Sequence, residues 1–412
     1  MPEFLTLLPP DEARNLLLSH LSLPVADSET IDVPSALGRV LAEDISAPRP
    51  LPDFQRSTVD GYAVRARDTH GASEALPGYL KLVGEVPMGD APVFEVGGAQ
   101  CGLIHTGGML PEGADAVVML EYTQQTQDDE IEVFRPVAEG ENVIQVGEDV
   151  AEGKLIQPRG SWLRPAEIGG LMALGITEVP VRRKIRVGLI STGDEVIEPA
   201  QSPKPGQVRD VNSYTLSALI ERVGGIAIRY GIVADDFAEL KTVSMKALLG
   251  CDMLIITAGS SASRRDMTAD VIRSLGMPGV LVHGINTRPG KPTILGVCEG
   301  KAVIGLPGNP VSALVNGYLF VAPVIEKLLG ALSRAKPAVL ARLTVNLPSQ
   351  AGREDWWPVK LLRSDPSNAM EAEPIFGKSN LIFTLAAADG LLRIPPNATG
   401  LPAGAIVEVL LI

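Results

Sequence analysis

The chain has 412 residues, 45% of them hydrophobic and 21% charged, a folded-protein composition that excludes disordered, collagen-like and disulfide-built classes. At roughly 100–200 residues per domain, this length implies several cores rather than one. The formal net charge of −13 opposes binding to duplex nucleic acid and to anionic membranes, so an anionic ligand must meet a local basic site.

Cys101, Cys251 and Cys298 are odd in number and form no C-x-x-C pair, which argues against a disulfide framework or zinc knuckle and fits a reducing cytoplasm. The start MPEFLTLLPPDEARN has no basic segment followed by an apolar core, and no run approaches the roughly 18 apolar residues of a membrane span. A cytoplasmic protein without a membrane role is expected.

Taken in order, DEARNLLLSHL and SALGRVLAEDI space their apolar residues like helices. Helical spacing returns after Val146, so residues 1–46 and 147–183 are expected to form a discontinuous helical linker domain. Between them, 47–146 carries recurring Pro, Gly, Thr and Val with short runs such as AVVML and IEVF, and reads as an inserted β domain. Residues 184–334 alternate continuous apolar strands with amphipathic helices, which predicts a parallel sheet covered on both faces. The tail, 335–412, has extended apolar segments between Pro and Gly turns and reads as a C-terminal β-barrel or sandwich. The fold class expected is therefore multi-domain α/β.

Ligands of such sheets bind at the carboxyl ends of the strands. The segments expected there are TGDE (192–195), ADD (234–236), TAGSSASRRD (257–266), NTRPGKP (286–292) and LPGNPVSA (306–313). In LPGNPVS, Asn309 suits a helix N-cap and Pro310 the first helical position, leaving free N–H groups beside Gly308 to accept an anion, although PGNP by itself suits a plain capping turn as well. Ser260 and Ser261 would cradle phosphate before a helix beginning near Met267, with Asp266 alternatively its cap. Asp194, Glu195, Asp235, Asp236 and Asp266 would face one another, a carboxylate set suited to Mg²⁺ beside a phosphate, although each suits a cap or solvated loop as well. Arg288 and Lys291 flank Pro289-Gly290 on a turn that suits an oxyanion or pyrophosphate, or equally a solvated basic turn. Trp356 and Trp357, with no basic cluster around them, read as packing or interface residues rather than a stacking platform. The four histidines show no zinc spacing, and no P-loop, Rossmann or nucleophile-elbow motif follows a strand.

STVDGYAVRARD (57–68), HTGGMLPEGADAVVMLE (105–121), STGDEV (191–196), TAGSSASRRD, RPGKP and LPGNPVSA occur in an order that resembles the molybdopterin molybdenumtransferase family, bacterial MoeA and the gephyrin E domain. The resemblance covers nearly the whole chain. It implies insertion of molybdate into adenylylated molybdopterin with Mg²⁺ and release of AMP, in a homodimer with a composite active site. On that pattern Asp60 and Thr106 come from the partner chain, and Glu195, Asp235 and Asp266 occupy acidic, metal-binding positions. Arg288, Lys291, Pro307, Pro310, Arg353 and Ser379 match anion-site and cleft positions. A molybdopterin adenylyltransferase and acceptor molybdoenzymes are the implied partners. Two departures stand out: GSSASRR (259–265) replaces a glycine-rich loop, and Gly284 stands where a lysine is frequent. A non-catalytic carrier or gephyrin-like scaffold is the alternative reading, and an adenylyltransferase, which resembles the α/β unit alone, a third.

Overall fold

The structure, a computed structural model, describes residues 7–21, 26–258, 262–363 and 370–412, with the backbone path alone for 262–266. Its central element is a six-stranded sheet ordered Gly225–Val233, Ile185–Thr192, Met253–Ala258, Lys301–Pro307, Ile294–Cys298, Pro278–His283. Ile294–Cys298 runs against both neighbours, so the sheet is mixed rather than wholly parallel. This reversal follows from the tight turn at Glu299 and Gly300, both at positive φ, which admits only a hairpin between Ile294–Cys298 and Lys301–Pro307. Every expected site loop still leaves the carboxyl edge, because each follows one of the five strands of common direction.

Strands such as Met253–Ala258 are buried along their whole length, since helices cover both faces. Ala13 and Leu17 of the first helix, Pro10–Ser19, belong to the same core as Ile185, Val187, Ile255 and Phe320. The leading helix is thus packed against the central sheet. The rest of the expected helical linker is mostly extended. Ser28–Asp32 pairs antiparallel with Glu178–Arg182, and Ile45–Ser46 with Leu155–Gln157; the α-helix of this region is Pro165–Ala173. Pro34 and the positive φ of Gly38 interrupt the helical spacing of SALGRVLAEDI, which folds as a short 3₁₀ turn and two isolated bridges.

The intervening chain forms a second six-stranded sheet with apolar clusters on both faces, one around Val64, Leu80 and Ile131, the other around Ala63, Ile104 and Val117. Gly61 is required there: a Cβ would lie 2.0 Å from the Val118 carbonyl oxygen. The C-terminal strands close into a five-stranded barrel because Glu354–Leu362 pairs with both Glu371–Pro374 and Gly390–Ile394. A two-residue strand of the preceding unit, Thr287–Arg288, adds to this barrel parallel to Glu354 and Asp355.

The helical run Pro310–Leu328 is long and apolar enough to cross a membrane, but most of it is packed inside the protein core. All three cysteines are buried and unpaired. Burial pushes the Cys101 thiol up to about 12 and the Cys298 thiol up to about 11, so neither is a poised nucleophile.

Candidate functional site

The carboxyl edge of the central sheet carries two adjoining cavities that share Asn309 and Asn380. The larger, about 670 Å³, lies between the sheet and the barrel. Arg288 and Lys291 enter it from one side, Arg353 and Lys378 from the other, with Pro307 and Ser379 in its wall. Gly290, at φ +105°, makes the turn between the first two cations possible; a Cβ there would lie 1.7 Å from Asn316 Nδ2.

The four cations differ in how far they are already neutralised. Arg353 donates through Nε and Nη2 to the two carboxylate oxygens of Asp355, at 2.7 and 3.1 Å, and Asp355 is fully buried. Two of its five donors are therefore committed. Among the described residues Arg288 and Lys291 form no ion pair, and the Arg288 guanidinium stands 5.6 Å from the centroid of the Trp357 ring. Trp356 and Trp357 pack against the central and the barrel core, as expected, but they also line this cavity, so basic side chains do stand near them. The strand Glu354–Leu362 brings them to cations that are distant in sequence.

The second cavity, about 390 Å³, is lined by Glu195, Asp210, Asn212, Gly308 and Pro310. Of the expected acids, Asp236 caps the helix Phe237–Gly250 by accepting the Glu239 N–H at 2.8 Å, and Asp194 accepts the Asp235 N–H at 3.2 Å. Asp235 accepts from the Thr192 hydroxyl at 2.9 Å. Glu195 is thus the expected acid that lines this cavity, while Asp235 sits beside it. Among the described residues no group of three His, Cys, Asp or Glu side chains converges as a metal site. Among the described residues, however, Asn212 Oδ1 is buried without a hydrogen-bond partner while its Nδ2 donates to the Gly308 carbonyl at 2.8 Å.

Ser260 and Ser261 lie outside the described residues, as does the side chain of Asp266. The helix expected to start near Met267 begins at Ala262, so Asp266 sits inside it rather than at its N-cap. Asn309 occupies its expected cap position without capping: its Nδ2 donates to Ser379 Oγ at 3.0 Å. The Val311 N–H, expected free, donates to the Ser379 carbonyl at 3.0 Å. Segment 378–381 of the barrel side thereby occupies the start of the helix Pro310–Asn316.

Two lining residues escaped the sequence reading. Asp210 is buried and accepts from Ser191 Oγ at 2.8 Å, Ser213 Oγ at 2.6 Å and the Ser213 N–H at 3.1 Å. Asn212 follows it. Their signal was the polar run RDVNS directly before a helix, an acid three residues ahead of a serine.

Asp60 and Thr106 line neither cavity. They lie together on the second sheet, where Asp60 accepts the Thr106 N–H at 2.7 Å and its hydroxyl at 3.1 Å. The backbone donor chiefly, then the hydroxyl and the nearby His105, holds the Asp60 carboxyl below its ordinary range despite slight desolvation.

The first part of the chain, residues 8–175, matches the family model described as MoeA N-terminal region (domain I and II). Residues 188–327 match the "Probable molybdopterin binding domain", and 340–412 the MoeA C-terminal region (domain IV). The molybdopterin molybdenumtransferase of Haemophilus influenzae is 35% identical, over 84% of each chain. That of Bacillus subtilis is 31% identical, over 94% of this chain and 90% of its own. The crystal structure of a molybdopterin biosynthesis MoeA protein from Pyrococcus horikoshii covers 99% of this chain at 36% identity, with a TM-score of 0.87 and all of its own chain matched. On this agreement of sequence, fold and domain order, the chain belongs to the MoeA family of molybdopterin molybdenumtransferases.

Proposed function

We propose that the protein inserts molybdate into the dithiolene of adenylylated molybdopterin, with Mg²⁺ and release of AMP, in the last stage of molybdenum cofactor biosynthesis. The observation that carries this reading is the pair of adjoining cavities, one with four cations, the other with carboxylates and an amide oxygen. Lys291 and Arg288, unpaired among the described residues, bind the oxyanion or pyrophosphate; Arg353, held by Asp355, and Ser379 fix its orientation. Pro307, Gly308, Asn309 and Pro310 form the ridge between the two halves of the substrate.

The donors in the second cavity fit Mg²⁺, which takes one or two carboxylates and completes its shell with water and phosphate oxygens. Glu195 and Asn212 Oδ1 would hold it, with Asp235 and Asp266 acting beside them. When bound, Mg²⁺ neutralises charge on the pyrophosphate. The chain's own groups position that pyrophosphate and keep it next to the oxyanion pocket.

Asp60 and Thr106 fit this scheme through a homodimer, in which the second sheet of one subunit supplies them to the cleft of the other. The four-domain division, with 47–146 inserted between 1–46 and 147–183 and followed by 184–334 and 335–412, suits such an arrangement. The proposed setting is the cytoplasm, where the protein receives adenylylated molybdopterin from an adenylyltransferase and passes the product to acceptor molybdoenzymes.

Incubation with adenylylated molybdopterin, Mg²⁺ and molybdate tests the assignment, read as AMP release and activation of an apo-molybdoenzyme. Binding of the substrate without AMP release would favour the carrier or scaffold alternative.

A further inference from the structure

The cationic cavity is far larger than the oxyanion it is proposed to hold. Four water-sized oxygens around one metal atom take up about 120 Å³. The cavity measures about 670 Å³, within the ~300–1,000 Å³ range of sites for whole organic ligands. Its charged groups are accompanied by an aromatic wall built from consecutive residues of one strand, Trp356 and Trp357.

The two indoles differ in what holds them. Trp356 donates its ring N–H to the buried Glu354 carboxylate at 2.7 Å and packs against the central core, so it is tied to the fold. Trp357 packs against the barrel core and meets Phe376 edge to face, with centroids 5.5 Å apart. Its guanidinium neighbour is distant by comparison with others in this protein. Arg229 lies 4.0 Å from the Tyr214 centroid and Arg334 lies 4.3 Å from that of Trp162, whereas Arg288 stands 5.6 Å from Trp357. Arg288 thus lies over the ring at the long end of cation–π range, and as an exposed side chain it can swing aside for a flat ring while keeping its charge next to it.

We propose that Trp357 is a stacking platform for a flat, fused heteroaromatic ring of the substrate, with Arg288 and Lys291 taking an anionic group attached to that ring. Stacking on an indole recognises a ring face of either kind, and the cations that share the cavity with it select rings that carry negative charge. The inference rests on the molybdopterin reading above, whose substrate offers two such rings, a pterin and an adenine. The edge-to-face contact with Phe376 holds the Trp357 ring in orientation.

The test titrates wild-type protein, Trp357→Leu and Trp357→Phe with three probes by calorimetry: pterin-6-carboxylate, AMP and molybdate alone. Trp357→Leu is expected to bind one of the aromatic probes about five- to a hundredfold more weakly, the range of one lost stacking contact. Trp357→Phe should recover most of that loss, and molybdate affinity should stay within about twofold in both variants. The probe affected identifies the ring. Quenching of tryptophan emission by that probe in the wild type, lost in Trp357→Phe, gives a readout that does not depend on the leucine variant folding.

Unchanged affinity for both aromatic probes would overturn the platform, as would failure of the wild type to bind either one. An equal loss for molybdate would also overturn it, since Trp357 would then only order Arg288. A wild-type protein that turns over adenylylated molybdopterin while Trp357→Leu binds every probe normally refutes the platform alone. Absence of AMP release from the wild type refutes the parent reading instead.

Discussion

Asp210 and Asp60 accept hydrogen bonds from the same kinds of donor, a hydroxyl and a backbone N–H, one at the buried edge of the central sheet and the other on the second sheet. Asp210 is 7% exposed and is held by Ser191 and Ser213; the Asp60 side chain is 57% exposed and is held by Thr106. In the first place the donors compensate a charge removed from water, and the charge in turn satisfies three donors beside a cavity. In the second, water could replace every bond at little cost. The same ligation is therefore structural in one region and serves chiefly to present a carboxylate in the other.

The largest expected effect breaks the buried half of this comparison. Asp210→Ala should lower unfolding stability by about 2–4 kcal/mol, because it strands two hydroxyls and the Ser213 N–H at once. Urea denaturation would measure it; a loss comparable to that of Asp60→Ala would erase the distinction.

Within the cationic cavity the contrast recurs between Arg353 and Lys291. Lys291→Ala should weaken oxyanion binding by about 1.5–3 kcal/mol, roughly ten- to a hundredfold, while leaving the melting temperature unchanged. Arg353→Ala should cost stability as well as affinity, since it leaves Asp355 buried without its partner. Calorimetric titration with molybdate, paired with thermal melts, separates the two.

A smaller effect is expected at Asp252. Burial raises its pKa, yet the bidentate Arg183, the Arg186 N–H and nearby charge together hold the carboxyl below its ordinary value. A depressed folded pKa adds stability that is present above the unfolded value near 3.9 and is lost as pH falls through the folded one. Asp252→Asn should accordingly cost about 1–2 kcal/mol at pH 7, with the difference from wild type shrinking below about pH 4.

The smallest stability change belongs to Asp60→Asn, which should leave the melting temperature unchanged while AMP release falls strongly if the carboxylate serves the partner's cleft. With its pKa lowered, Asp60 stays ionised throughout the neutral range, so it should contribute no ionisation step to the pH profile there. A monomeric mass by scattering, at micromolar concentration with ligand present, would remove the reason for that fall.

Much of the site could be read from sequence because continuous apolar strands end in conspicuously polar loops. RPGKP and LPGNP stand out against MLIITA and KAVIGLP, and strand direction alone carries them to one edge. Asp210 and Asn212 were missed because the strand ahead of them, Val208–Arg209, is too short to show a period. The basic surroundings of Trp356 and Trp357 were missed because they come from other segments, Arg288 being 69 positions before Trp357, and meet them through barrel pairing. The linker misled for a different reason. Its apolar spacing suits a helix, while Pro34 and Gly38 decide otherwise.

The short strand Thr287–Arg288 makes the cationic cavity a seam between two folding units. Besides the ladder to Glu354 and Asp355, the Glu354 N–H donates to the Asn286 carbonyl at 3.1 Å, and the Asn286 amide donates to the Gly352 carbonyl. The turn that carries Arg288 and Lys291 is stitched to the barrel although it belongs to the α/β unit. Any rocking of the barrel must drag this turn along, so the cations on the two walls travel as one body. Cutting the chain ahead of Ala338 would remove more than a terminal accessory, since it would unpick the stitch that sets where the turn of Arg288 and Lys291 lies.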